Sequence, residues 1–402
     1  MSTTASEEAE LRDKVRAFIA EHDPRATPAA EFNAAEFNNA RFDAGLAAVH
    51  YPVGHGGLGL ARGLQAAADE EFAKAGAPVL DPSRNVIGLG MAAPTIIVYG
   101  TEEQKRQWLR PLWTADEIWC QLFSEPGAGS DVAGLATRAV RSGDEWIVNG
   151  QKVWTSLAHH AKWGLLVART DPDVPKHAGL TYFVIDMTQP GVEVRPLRQA
   201  TGEAEFNEVF LTDARVPDAS RLADVGDGWK VATTTLMNER VSIGSGRSVR
   251  REEGVIGYAA ASWRQQPDKR THDLHQRLLR LWAESEVARL AAERLRQQMA
   301  AGEPGPEGSA AKLTMARLNQ QISGWEIEFG GADGLRYDDW TMRRDTSSAY
   351  SRGPGFRYLR SKGNSIEGGT SEVLRNIIAE RVLGLPAEQR ADKGVAWKDI
   401  PR

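Results

Sequence analysis

Two short segments of this chain carry residue types spaced for chemistry. The first is Gln121-Leu-Phe-Ser-Glu-Pro-Gly-Ala-Gly-Ser-Asp-Val132. Its apolar lead-in predicts a strand that runs into Ser124 and then a glycine-rich turn. Gly127 and Gly129 let the backbone approach a ligand closely, and consecutive turn amides can form an anion-binding nest. A plain β-turn between strands satisfies the same spacing equally well. The second segment is Gly150-Gln-Lys-Val-Trp-Thr-Ser156. A tryptophan beside two hydroxyls at a strand end offers a flat heteroaromatic ligand an indole wall and short hydrogen bonds. Taken alone, Trp154 fits a core position better.

Two glutamates stand out as possible proton acceptors. In Leu236-Met-Asn-Glu239-Arg240-Val-Ser-Ile243, the residues Leu236, Glu239 and Ile243 share one helical face at i, i+3 and i+7. Glu239 therefore sits on an apolar stripe, where burial suits a general base; the competing reading is a helix-surface carboxylate. Glu367 lies in Ile366-Glu-Gly-Gly-Thr370, where an inert loop glutamate is the simpler reading.

Other chemistries find little support. Gly54-His-Gly-Gly-Leu-Gly59 fits G-x-G-x-x-G, but no strand precedes it and Pro52 sits just upstream, so a loop is expected. The histidines are scattered. His159 and His160 are adjacent, and on a strand they would point to opposite faces. No metal centre is expected. No Gly-x-Ser-x-Gly elbow, Walker loop or His-Glu-x-x-His occurs. Cys120 is the one cysteine, which excludes an intrachain disulfide and multi-cysteine metal sites.

The elements that must position these residues change character twice along the chain. Residues 5 to about 117 read as helices: Leu11, Val15, Phe18 and Ile19 recur on one face, and Thr101 with Gln104 forms a capping box. From 118 to 226 short strand-like runs appear at Glu145–Val148, Trp163–Ala168, Thr181–Ile185, Val192–Pro196 and Asn207–Leu211, separated by turn residues. Helical periodicity returns at roughly 228–262, 273–300, 307–330 and 371–383, with a break at Gly302–Pro306. The tail, 387–402, is polar and expected to be loosely attached. The expectation is an α+β multidomain chain: a helical domain over 1–117, a central antiparallel β-barrel or sandwich over 118–226, and a helical bundle over 227–386.

Composition sets bounds on this reading. The 402 residues are 41% hydrophobic and 26% charged, in the globular range. Lys and Arg (49) against Asp and Glu (54) give a net charge of −5, with no basic excess for nucleic-acid phosphates. The most apolar stretch, Val86 to Tyr99, holds Pro94 and is too short to span a bilayer, and the polar start lacks a signal-peptide core. A cytoplasmic protein is expected.

Ser124-Glu-Pro-Gly-Ala-Gly-Ser-Asp131, Asn149-Gly-Gln-Lys-Val-Trp-Thr-Ser156, Phe206-Asn-Glu-Val-Phe210 and Gly369-Thr-Ser-Glu-Val-Leu-Arg-Asn-Ile-Ile-Ala-Glu-Arg-Val-Leu-Gly384 together resemble the acyl-CoA dehydrogenase family, over roughly 5–386. The resemblance implies a C-terminal four-helix bundle and an FAD cofactor. It places Gln121, Phe123, Ser124, Gly129 and Ser130 beside the flavin, and Trp154, Thr155 and Ser156 against the isoalloxazine, with Ser156 near N5. Thr370 and Glu372 fall where the family contacts the FAD phosphates and ribose. Ser130 and the backbone N–H near Gly368 would meet the thioester. The implied reaction is α,β-dehydrogenation of an acyl-CoA to the trans-2-enoyl-CoA: a glutamate takes the α-proton while hydride passes to flavin N5. An electron-transfer flavoprotein or similar acceptor would reoxidise the cofactor.

The sequence departs from the family in two places. Many members have Tyr-Glu-Gly-Thr, with the base two residues before the threonine. Here that position is Gly368, and Glu367 is one residue out of register. Other members carry the base in a Glu-Arg pair on the helix opening the bundle, which assigns the base to Glu239, with Glu367 as fallback and Arg240 as a supporting residue. The family's Arg-x-x-Phe-Gly stretch, which completes a neighbouring subunit's flavin site, is missing from Trp263–Arg280. A homotetramer or a mixed tetramer with a related subunit is expected. A catalytically silent, partner-dependent subunit and an oxidase-type member are the alternatives.

Overall fold

The computed structural model describes the chain except residues 1–4, 27–31, 79, 245–249, 302–307, 338, 345–351 and 402; the side chains of 82, 240–244 and 299–301 also lie outside the description. The break expected at Gly302–Pro306 falls outside the described residues.

The N-terminal part is helical: α1 (Ala5–Glu21), α2 (Ala34–Asp43), α3 (Gln65–Ala75), α4 (Ala93–Tyr99) and α5 (Glu102–Trp113). The apolar face of α1 buries Leu11, Val15 and Phe18 against Phe37 and Phe72. Both halves of the Thr101–Gln104 capping box form at the start of α5. Gly54–Gly59 is a loop, and a Cβ at Gly56 would collide with the Phe42 ring.

The central strands are β1 (Trp119–Leu122), β2 (Arg138–Ser142), β3 (Glu145–Ser156), β4 (Trp163–Arg169), β5 (Leu180–Asp186), β6 (Val192–Pro196), β7 (Phe206–Pro217) and β8 (Arg221–Leu222). They form one sheet in the order β6-β7-β3-β2-β4-β5-β8, with β1 added on β4. The path has two ends, so the sheet is open, and of the expected barrel or sandwich the closed barrel is not built. It is also mixed: β1 runs parallel to β4, because the β2–β3 hairpin lies in the crossover between them. The end strand β6 carries Glu193 and Arg195, charges that suit an unpaired edge. Strands β4 and β5 are buried except at Trp163 and Asp186, which are half-buried. Leu165 and Val167 face the helices while Leu166 and Ala168 face the rest of the sheet, which is why these runs are continuously apolar.

The C-terminal part holds α6 (Gly228–Gly244), α7 (Val255–Gln265), α8 (His272–Ala301), α9 (Gly308–Gly330), α10 (Pro354–Gly363) and α11 (Ser371–Ile377). The single helix expected over 228–262 is two, with a 3₁₀ turn at Arg251–Glu253 and Gly254 ahead of α7. The run expected to 383 leaves α-geometry after Ile377 for a π-turn, Ile378–Val382. Helix α10, opened by Pro354 in its first turn, was hidden between glycines.

Helix α6 is held between sheet and helices by a buried hydroxyl cluster: Thr235 Oγ1 lies 3.0 Å from both Tyr182 Oη and Thr95 Oγ1. The tail is not loosely attached. Trp397 N donates to Val174 O (2.9 Å), its indole N–H to Gly134 O (3.1 Å), and its ring lies 4.3 Å from the Arg169 guanidinium. Lys176 pairs with both Asp131 (2.7 Å) and Asp392 (2.5 Å), tying the tail to the end of the glycine-rich turn. One indole, Trp397, and one carboxylate, Asp392, anchor a segment whose average composition is polar.

Candidate active site

On the β side, the glycine-rich turn rests on a buried ion pair. The Glu125 carboxylate accepts from Ala136 N (2.7 Å), Thr137 N (2.9 Å) and Lys152 Nζ (2.9 Å). Lys152, fully buried, also donates to Phe123 O (3.1 Å) and Val167 O (2.9 Å). Burial works to raise the Glu125 carboxyl, but the Lys152 charge and the hydrogen bonds outweigh it and hold the group below its ordinary value. Burial lowers Lys152, against the pull of Glu125. The turn closes through paired bonds between the backbones of Glu125 and Ala128, and Val153 N donates to Ser124 O (2.9 Å), fastening it to β3. A Cβ at Gly127 or Gly129 would meet nothing within 4 Å, so the outer side of the turn is open, and Ser130 is exposed. The Phe123 side chain packs inward against Tyr182, leaving its backbone to face the turn.

The pairing of β3 with β7 shifts register between Lys152 and Thr155, and Trp154 takes a left-handed φ of 61°. A non-glycine residue held there carries strain of the kind that gathers at functional sites, and a bulge re-aims its side chain. Trp154 is 58% exposed, so it is not a core tryptophan; its ring stands edge-on to Phe206 at 5.9 Å. Thr155 is buried, and its Oγ1 has no hydrogen-bond partner. Asn207, opposite it, donates to Thr155 O (2.9 Å) and accepts from Arg344 Nη2 (2.7 Å). His159 and His160 lie in the turn after β3, not on a strand, with rings 4.1 Å apart. Among the described residues no cluster of three or more His, Cys, Asp or Glu is arranged to hold a metal.

The helical side brings the two glutamates into different surroundings. Glu239 lies one turn beyond Thr235 on α6, and Gln121 Nε2, from β1, donates to its Oε2 (3.3 Å). The other Gln121 amide atom, Oε1, is buried without a partner. The Arg240 side chain lies outside the described residues. Glu367 is gripped: Arg360 donates to both carboxylate oxygens (3.0 Å each), and Asn364 Nδ2 donates to Oε1 (2.7 Å). Arg360 also reaches Glu205, just before β7, at 3.5 Å. Gly368 and Gly369 both have left-handed φ, 61° and 91°. Lys312 on α9 is 1% exposed and donates to Gly369 O (2.7 Å). Burial lowers its pKa, and the charges of Glu367 and Glu239 oppose that. Thr370 caps α11 by accepting from Val373 N (3.2 Å), and Glu372 points outward to Arg375 (3.7 Å).

Gln121 and Glu239 are thus in contact, and Ser124 and Trp154 sit on adjacent backbones, whereas Thr370 and Glu372 make no described contact with the β side. Sequence reasoning missed Lys312, Arg360, Asn364 and Asn207. One signal was available: Ser309, Lys312, Ser323 and Glu326 form a second face of α9, polar yet buried, beside the apolar one.

Comparison with known proteins decides the family. Residues 5–116, 120–214 and 226–383 match the N-terminal, middle and C-terminal domains of acyl-CoA dehydrogenases. The acyl-CoA dehydrogenase IpdE1 of Mycobacterium tuberculosis is 38% identical over 354 residues, covering 86% of both chains. The chain belongs to the acyl-CoA dehydrogenase family. The acyl-CoA dehydrogenase FadE34 of the same organism is 40% identical over 86% of this chain, which spans only 45% of that relative's length. Among solved structures, the Tcur3481-Tcur3483 steroid ACAD aligns with a TM-score of 0.69 at 26% identity, covering 96% of this chain and 99% of that one. The family is FAD-dependent, and the residues here fit a flavin. The open indole of Trp154, the unpartnered Thr155 Oγ1 and Gln121 Oε1, and the uncrowded turn at Gly127–Gly129 offer a wall, polar contacts and room. Among the described residues no helix is long and apolar enough to cross a membrane.

Proposed function

We propose that this acyl-CoA dehydrogenase removes the α-proton of its thioester substrate with Glu239 and forms the trans-2-enoyl-CoA. The observation that carries the reading is that Glu239 is reached by Gln121, on the strand leading into the glycine-rich turn, whereas Glu367 is held in a guanidinium fork. Glu367 has three donors on its oxygens, two of them a guanidinium fork, which disfavours proton uptake. The hydrogen bond from Gln121 to Glu239 brings that carboxylate to the side of the site where the glycine-rich turn begins. The bound flavin supplies the two-electron acceptor for the β-hydrogen. The chain's own work is to orient and to take a proton. Trp154, Thr155 and Ser156 hold the ring; Gln121, Phe123, Ser124, Gly129 and Ser130 line the turn side; Thr370 and Glu372 contact the remote half of the cofactor. The N–H near Gly368 binds the thioester carbonyl as enolate charge develops, and Gly368 φ leaves no side chain in the way. The test is to purify the protein, add FAD and mix it anaerobically with straight-chain, branched and sterol-side-chain CoA thioesters; the last class is included because the structural neighbour is a steroid ACAD. Bleaching of the flavin by one class is expected, and no flavin uptake at all sinks the reading.

A second reading concerns assembly, as a homotetramer or a mixed tetramer with a related chain. Helix α8 exposes Leu279, Val287 and Leu290 at i, i+8 and i+11, an apolar stripe along one face. The absence of Arg-x-x-Phe-Gly favours a related chain as the neighbour. Light scattering of the flavin-loaded protein is expected to give a particle several times 44.0 kDa. A stable flavin-loaded monomer refutes this, and flavin uptake only after addition of a related chain selects the mixed form.

A further inference from the structure

The glycine-rich turn has two ends, and different parts of the chain hold them. Its first end rests on the Glu125–Lys152 pair. Its last residue, Asp131, is held by Lys176, from the loop between β4 and β5, at 2.7 Å. Lys176 is buried, and it shares its ammonium with Asp392 of the tail at 2.5 Å. Arg390 orients Asp392 by donating to both of its oxygens (3.1 and 2.9 Å). A single 3₁₀ turn, Val132–Gly134, follows Asp131 directly. Arg169, 2% exposed, gathers that turn and the β4–β5 loop: it donates to Ala133 O (2.7 Å), Leu135 O (3.1 Å) and Lys176 O (3.1 Å). Trp397 lies on this hub, its ring against the Arg169 guanidinium and its indole N–H on Gly134 O. The tail backbone is fixed to the same loop, from Trp397 N to Val174 O (2.9 Å) and from Lys398 N to Pro172 O (3.1 Å). The match to the family's C-terminal domain ends at residue 383, so this second anchor comes from outside the three matched domains.

We propose that Asp392 and Trp397 are positioning residues for the substrate: they fix the Asp131 end of the glycine-rich turn, so that Gly129 and Ser130 are set in place before the acyl-CoA thioester arrives. The inference rests on the reading that this turn meets the thioester. Between the two anchors the turn is open, since a Cβ at Gly127 or Gly129 would meet nothing within 4 Å. Glycines held at one end only sample many backbone conformations, and a loop that must be ordered by its ligand lowers affinity. Holding both ends removes that ordering from the binding step. The flavin wall at Trp154–Ser156 belongs to β3 and does not depend on the tail.

The experiment compares full-length, FAD-loaded wild type, Asp392→Asn, Asp392→Glu, Trp397→Ala and the double variant Asp392→Asn/Trp397→Ala. Anaerobic bleaching by the most reactive CoA thioester of the panel is followed against its concentration, which separates half-saturation from the limiting rate. Amide hydrogen exchange is read without substrate at Ala128, Gly134 and Leu135, whose N–H groups are bonded within the turn segment. The double variant is expected to keep its flavin and to need about tenfold more thioester, with a limiting rate within about twofold of wild type. Its turn amides should exchange faster. Asp392→Glu, which keeps the charge on Lys176, should stay near wild type. Released tail amides beside unchanged turn amides and unchanged half-saturation overturn the proposal, because the tail is then an element of stability alone. Loss of flavin together with an equal fall in limiting rate overturns it as well, by showing a fold-wide effect. No bleaching of wild type by any thioester overturns the functional reading; the exchange data tell this apart, since unchanged turn amides in the double variant overturn the role of the tail alone. If the double variant does not fold, Asp392→Asn decides: half-saturation and turn exchange equal to wild type overturn the proposal.

Discussion

Lys152 and Lys312 are both buried, one on each side of the site, and they are solved in opposite ways. Lys152 has a carboxylate at 2.9 Å and two carbonyls, and every partner is structural. Lys312 has one described partner, the backbone carbonyl of Gly369, at 2.7 Å. The β side is therefore a closed network that fixes the turn before any ligand arrives. The helical side ties its buried cation to a loop by a single described backbone bond. A buried ion pair that satisfies itself sets the shape of a turn; one bond to a carbonyl holds a loop to a helix.

The largest effect expected from breaking this contrast is at Glu239. Glu239→Gln should still fold and bind FAD, because its hydrogen bond to Gln121 can be remade by an amide. It should lose roughly 10²–10⁴-fold in the rate of flavin bleaching by acyl-CoA, the usual loss for a general base. Stopped-flow measurement under anaerobic conditions reads this directly, and a loss of less than tenfold would move the base elsewhere.

Next comes the β side. Lys152→Met leaves Glu125, 9% exposed, with its two backbone donors and no counter-charge. Removing one partner of a buried pair costs about 3–5 kcal/mol. The expected result is a large fall in thermal midpoint and weakened FAD retention, since the turn and the base of Trp154 share this network. A variant of near wild-type stability that still binds FAD would mean that the two sides do not differ as described. Lys312→Gln keeps a donor for the Gly369 carbonyl and should show the smaller stability change of the two.

The sequence made the helix–sheet–helix order legible because the hydrophobic period changes from helical to strand spacing and back. The motif segments were legible because strands, glycines and hydroxyls occur in a fixed order. Three things were hidden. The openness of the sheet depends on which strands fail to pair, a long-range fact that alternation along one strand does not carry. The docking of the tail rests on Trp397 and Asp392, which average composition conceals. Lys312 was invisible as a site residue because its described partner, the Gly369 carbonyl, is remote in sequence and is a backbone atom. The exposed, left-handed Trp154 illustrates the same limit: a tryptophan at a strand end suits a core until the bulge turns it outward.

The smallest expected effect is at Glu367, and it sharpens the comparison most. This carboxylate has an obvious claim to be the base: it is a glutamate in the loop ahead of Thr370, one residue from the place where many family members carry theirs. Its geometry argues otherwise. Both oxygens face Arg360 in a two-pronged pairing, and Asn364 adds a third donor. The side chain is 32% exposed, so water screens much of the pair's energy. Glu367→Gln keeps one acceptor for Arg360 and loses the fork, which should cost on the order of 1 kcal/mol in stability. Bleaching by acyl-CoA should stay within a few-fold of wild type, because no proton passes through this group. The pH profile should therefore keep its acid limb while the thermal midpoint drops slightly. A hundredfold loss in bleaching with FAD still bound would reverse the assignment of the two glutamates and make the Arg360 fork a resting arrangement that substrate must open.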